Sequence, residues 1–348
     1  MTALLEAAPP AIRSTRSVSA AQLGLVGAVC VALGASLVLP GGGGPVALVV
    51  VTALLYAVAG PVLVAVVQGR RAGVDRLATT LSWGAFLLAL VPLVSVVALT
   101  VRNGSRRFGL PFLGHSLKGV GPLDTNGGAY HAVIGTLEQV GLASVMAIPL
   151  GLLAAVYVVE HGRGPLVPAV RFVTDVMTGV PSIVAGLFVF AFWVLALGLG
   201  FSGFAAAIAL AILMLPTVVR TTEVVLGLVP DELREASLAL GVPRWRTVLS
   251  VVLPTAASGI TTGIVLAVAR VTGETAPLLL TALNLDSINA DPFHGQQAGL
   301  PSFVYAQASQ PQTAAIDRAW AGALTLLLLV LLLNVGARLV SRRNGVRS

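Results

Sequence analysis

Charge is scarce in this sequence: 10% of the residues are Asp, Glu, Lys or Arg against 56% hydrophobic, and the mean hydropathy is +0.94. A soluble globule needs far more polar cover, so that class is excluded and an integral membrane protein is indicated. Cysteine is nearly absent as well. The single one, Cys30, lies in an apolar run, which rules out a disulfide framework and a cysteine metal site. The four histidines, His115, His131, His161 and His294, are scattered without the close pairs that zinc sites require, so no metal and no other cofactor is expected. Lysine occurs once, as Lys118, in a context that does not match G-x-x-x-x-G-K-[ST]. Nucleotide binding through a phosphate loop, and with it ATP hydrolysis by this chain, is therefore not expected. A net charge of +7 raises nucleic acid as a partner, but most arginines stand just outside apolar runs, the pattern that membrane topology produces.

Long apolar runs are what the sequence has in quantity, and each approaches the roughly 20 residues that cross a bilayer as a helix. They fall near 22–39, 46–67, 81–101 and 136–159, then on to Leu199, up to Val219, 257–283 and 319–340. The expected fold is all-α, a polytopic transmembrane helical bundle of eight spans. The turn at Gly41 to Gly44 leads straight from the first run into the second, so a membrane hairpin fits better than a cleaved leader. Residues 1–78 read as a polar arm with an accessory hairpin, and 79–348 as a core of six spans. Pro149 and Gly151 interrupt the fourth span. Glu138 and Asp175 read as first-turn residues that meet helix N-terminal dipoles.

Arginine placement orients the chain. Arg13, Arg16, Arg70, Arg71, Arg76, Arg163, Arg234, Arg244, Arg246, Arg342, Arg343 and Arg347 share one face, which the positive-inside rule makes cytoplasmic, with both termini on it. The loop carrying Arg102, Arg106, Arg107 and Lys118 departs from the rule on the opposite face.

One polar stretch interrupts the apolar sequence, Val229 to Pro254. Pro230 suits a helix start, Asp231 and Glu232 suit a first turn, and Gly241 is placed to stop the helix as a left-handed cap. A second short helix fits from Pro243, with Trp245, Val248, Leu249 and Val252 on its apolar side, until Pro254 breaks it. Two small helices around a glycine elbow form a knob at one membrane face. The other anomaly is Arg270 in the seventh span, where a charge costs about 2.5 to 3.5 kcal/mol on insertion scales. Glu274 is four residues on, on the same helical face, while Gly273 and Pro277 allow the helix to bend or open. A structural ion pair and a functional pair are both compatible with that spacing. Arg220 and Glu223 suit either interfacial anchoring or the inner mouth of a path.

Glu235-Ala236-Ser237, then Gly241, then Leu253-Pro254, resembles the EAA loop of ABC importer permeases, with Ser237 in place of a second alanine. Arg270-Val-Thr-Gly-Glu274-Thr-Ala-Pro277 resembles the R-x-x-GETAP signature of the PstA family of phosphate permeases. Gly179 to Val184 and Leu215 to Glu223 agree with it, and the similarity runs from about 124 to 340. The resemblance implies a type I ABC importer permease fold in the cell membrane, with the N-terminal hairpin as an extension. It implies a substrate path holding Arg270, Glu274 and Arg220, and an ATPase-coupling knob using Glu235, Ala236, Ser237 and Gly241. The implied partners are a PstC-like second permease, PstB-like ATPase subunits, a PstS-like extracytoplasmic binding protein and phosphate. The alternatives are the sister PstC type, which carries Met-Ala where this chain has Ala276-Pro277, another oxyanion permease, an ion-driven carrier using the Arg270 and Glu274 pair, or a structural membrane protein.

If the orientation is right, crosslinkers that act only from the cytoplasm modify the chain near Glu235. Modification there from outside the cell overturns the topology.

Overall fold

The computed structural model describes residues 18–39, 44–162, 164 and 166–345. Arg13, Arg16, Arg163, Arg347 and the turn at Gly41 to Gly43 lie outside them. The chain divides into two compact units at Val97–Ala98. Unit one holds α1 (Ala20–Val38) and α2 (Pro45–Gln68), and the long α3 (Arg70–Gly104) runs from it into unit two. Ser19 caps α1 with a capping box to Gln22, and Pro45 opens α2 where its missing N–H costs nothing. The two helices pack closely because Gly34 has no side chain: a Cβ there would lie 2.5 Å from Thr52 Oγ1.

Unit two is a helical bundle. It contains α4 (Leu110–Gly114), α5 (Tyr130–Glu160), α6 (Leu166–Thr178), α7 (Ser182–Val189), α8 (Gly203–Gly227), α9 (Asp231–Ala239) and α10 (Arg244–Thr247). α11 (Leu253–Thr272), α12 (Ala276–Thr281), α13 (Leu300–Ala308) and α14 (Thr313–Gly345) complete it. Its core is built from small side chains that let helices approach. Ala143 and Ala147 of α5 meet Ala206, Ala207 and Met214 of α8, joined by Ala267 and Val271 of α11. A Cβ on Gly151 would stand 2.8 Å from Val218, and one on Gly263 2.5 Å from Thr221, so these glycines set the spacing of α5 and α11 against α8.

Among the described residues seven helices are long and apolar enough to cross a membrane, one fewer than the eight spans the sequence suggested unless a bent pair counts as one span. The missing one is bent by 106° between α6 and the segment Ser182–Ala196, because Pro181 cannot continue a helix and Gly179 and Val180 form the turn. The α7 segment ends in a π-helical stretch, Phe190–Ala196, and at 1.5 Å per residue reaches only about 22 Å. Pro149 does not interrupt the fourth span: α5 runs through it, losing a single backbone bond. Nor does Pro254 break its helix. A π-helical segment, Val248–Val252, widens the turn ahead of the proline ring, and Arg244–Thr272 forms one continuous span. The seventh span does open where glycine permits, ending at Thr272 and restarting at Ala276.

Opposite the knob end, a cap closes the bundle. Phe112, Leu117, Ala298, Leu300 and Phe303 form its core, and the segment from Leu283 to Gly299 tucks against α5. A Cβ on Gly135 would come 2.1 Å from the carbonyl oxygen of Ala298. Gly135→Ala should therefore destabilise the chain by about 1–3 kcal/mol, since backbone must move to admit it. In the same helix Gly141, with nothing within 4 Å, should accept alanine without loss. Thermal unfolding of the two variants in detergent checks the contrast.

Candidate functional site

The knob takes the shape its residues dictate. Asp231 and Glu232 occupy the first turn of α9, and Gly241 adopts φ +79° just past its end. The Gly241 N–H donates to Leu238 O and the Val242 N–H to Ser237 O, the paired bonds of a Schellman cap, so the left-handed glycine expected there is present. Ser237 is buried rather than displayed. Its hydroxyl lies 2.9 Å from that of Thr247 and pins α9 to α10. Glu235 and Ala236 are exposed on the outer side, with Leu238, Leu240, Trp245 and Leu249 around them. Val248 and Val252 do face the core, but Trp245 and Leu249 do not, which leaves an apolar surface on a polar knob.

Arg270 stands on the last turn of α11, on a face that also exposes Thr255, Ser258, Thr262 and Leu266 at spacings of three and four residues. The hydroxyls of Thr255 and Thr262 donate to the carbonyls of Val251 and Ser258, so only their acceptor lone pairs point outward. Glu274 does not share this helix face. α11 ends two residues before it, and Glu274 sits, half-buried, in the break that leads to α12. Among the described residues neither Arg270 nor Glu274 forms an ion pair, with each other or with any other side chain.

Arg220 is differently placed. It donates to Asp175 and, at 3.1 Å, to Glu223, which also accepts from Arg171 at 2.9 Å. This four-residue network ties α6 to α8 and balances its charges. Asp175 thus lies near the C-terminal end of α6, not at a helix start, and serves as a partner to Arg220 rather than as a cap. Glu138 is likewise in the third turn of α5 and accepts a hydrogen bond from the Gln297 amide.

Residues 147–346 match the family described as "Binding-protein-dependent transport system inner membrane component". "Phosphate transport system permease protein PstA 1" of Mycobacterium tuberculosis (strain ATCC 25618 / H37Rv) is 48% identical over 274 residues, 78% of this chain and 88% of that protein. "Phosphate transport system permease protein PstA" of Pasteurella multocida is 39% identical over 266 residues, 76% and 93%. This chain belongs to the PstA permease family. Two solved structures share its fold. The permease resembles a chain of the inward-facing MetNI methionine ABC transporter at TM-score 0.51 and 19% identity, covering 68% of this chain and 99% of that one. It also resembles a chain of a bacterial ABC transporter involved in alginate import, at TM-score 0.53 and 15% identity, covering 77% and 99%. The multi-pass, all-α type I permease fold follows.

Two polar groups in this PstA-family cap escaped sequence reasoning. Arg318, at 2% exposure, donates to Gln307 Oε1 at 2.7 Å and to the carbonyls of Asp124 at 2.6 Å and Asn126 and Pro122 at 3.4 Å. Arg107 reaches the carbonyls of Asn126 and Gly127 from the other side. Burial pushes the nearby Asp286 carboxyl above the usual carboxylate range, with Arg318 pulling the other way. Gln297 is the second. Its amide bridges Glu138, Gln139 and the Asn289 carbonyl. The available signal for Arg318 was a lone arginine opening an apolar run, which reads equally as a topology charge. Arg318→Leu should cost about 3 kcal/mol, since it leaves several buried carbonyls without donors. Lower thermal stability with faster proteolysis at 121–128 is the expected result.

Proposed function

We propose that this chain is a membrane-spanning subunit of an ATP-binding-cassette importer for inorganic phosphate. The cargo reading is supported by relatives named as phosphate permeases. The observation that carries the mechanism is Arg270, an unpartnered guanidinium exposed on one face of a membrane helix. A charge in that position is too costly to be left facing lipid, so a second, PstC-like permease covers the face and a wet path runs between the two.

Phosphate leaving water needs a counter-charge, and a guanidinium supplies planar donors that stay ionised. Arg270 is the binding group in this reading. The outward lone pairs along α11 at Thr255 and Thr262, and the Glu274 carboxylate, accept hydrogen bonds. Phosphate near neutral pH still carries protons to donate to them, whereas sulfate has none. Arg220 is neutralised by two carboxylates and serves the path only by holding α6 against α8. The knob faces the cytoplasm, as do both termini, and PstB-like ATPase subunits grip it at Glu235, Ala236 and the apolar surface around them. Gly241 shapes the elbow, and Ser237 contributes from inside. A PstS-like protein delivers phosphate at the cap. ATP-driven closure of the ATPases draws the knobs together and alternates access. The α1 and α2 hairpin is accessory to a core of six spans.

In vesicles containing the whole assembly, Arg270→Gln should abolish uptake of labelled phosphate with assembly intact. Glu274→Gln should narrow the preference for phosphate over sulfate. Unaltered uptake by the arginine variant would sink the assignment.

A further inference from the structure

Arg234 is the most fully engaged side chain at the knob end. Its Nε and Nη2 donate to Glu160 Oε1 at 3.2 and 3.1 Å, and Nη2 donates again to the carbonyl of Leu226 at 3.0 Å. Nη1 donates to the Val229 carbonyl at 2.7 Å and to Asp231 at 2.9 Å. A guanidinium has five N–H donors, and here all five are used. Both charged groups are largely withdrawn from water, with the Arg234 side chain 17% and that of Glu160 12% exposed. The acceptors belong to three elements: the last residue of α5, the end of α8 with its link onward, and the first turn of α9.

That geometry bears on how motion crosses the chain. One side of the knob is continuous with the bundle, since α10 runs through the π-helical segment into α11 and on to Arg270. The other side has no such backbone route. α9 joins α8 through only Leu228 to Pro230, and α5 connects to the knob in sequence only through α6, α7 and α8. Among the described residues, Arg234 with Glu160 is the polar tie between α5 and the knob.

We infer that Arg234 is a positioning residue for transport, locking the knob to α5 and α8 so that displacement of α9 moves those helices together with α11. This rests on the importer reading above. Lysine cannot replace it, because an ammonium offers three donors on one nitrogen, without the planar fork, against the five bonds made here. Loss of the tie should leave the ATPase working on a knob that slips against α5.

The test uses the complete assembly in vesicles, with ATP hydrolysis and uptake of labelled phosphate measured together. Glu160→Gln removes the charge tie to α5 and leaves the other bonds of Arg234 in place. Hydrolysis and assembly should stay within about twofold of the parent, while phosphate moved per ATP falls about fivefold or more. Arg234→Lys should behave alike, and adding Glu160→Gln to Arg234→Gln should bring no further loss, since the two act as one unit. An unchanged ratio in Glu160→Gln overturns the inference, as does a fall in uptake matched by an equal fall in hydrolysis or assembly. Should Arg234→Gln fail to assemble, the Glu160→Gln result decides alone. Absence of phosphate uptake by the assembled parent overturns the importer reading, and this inference with it.

Discussion

Hydrocarbon offers an ionised group neither water nor counter-ions, so every charge carried into the bundle needs partners. The chain meets this constraint almost everywhere. Arg318 is satisfied by carbonyls and an amide, Glu138 by Gln297, Arg220 by two carboxylates, and Arg234 by every acceptor it can use. Arg270 and Glu274 stand apart because among the described residues they form no ion pair. The contrast separates charges with partners inside the chain from two that the described structure leaves without an ion pair.

Glycine and proline shape the helices less through their propensities than through what lies beside them. Gly151, Gly259 and Gly263 let α5 and α11 come close to α8, where any Cβ would meet a side chain of α8 under 3 Å away. Pro149 is absorbed because α5 loses only one bond, and Pro254 because a π-helical segment relieves its ring. Pro181 cannot be absorbed in the same way, since it follows a glycine turn and ends up as the N-cap of α7. Three prolines in apolar runs thus have three outcomes.

The knob illustrates how local and long-range information divide. Its elbow was legible because a glycine after a short helix has one dominant use, the left-handed cap that Gly241 adopts. The roles of Ser237 and Arg234 were not, because each depends on a residue brought near by folding: Thr247 across the elbow and Glu160 at the end of another helix. A small residue and an arginine in a polar loop look ordinary until those partners are known.

Composition, apolar run length and the Arg270 to Pro277 and Glu235 to Gly241 motifs determined by themselves the class, the approximate spans and the family. Those properties are local, since hydropathy and helix capping act over a few residues. Tertiary structure alone decided that Glu274 leaves the face of Arg270, that Asp175 and Glu138 are partners rather than caps, and that Arg318 is buried. Each of those depends on packing between segments far apart in the chain, where the direction of a side chain is set by its neighbours and not by its own sequence.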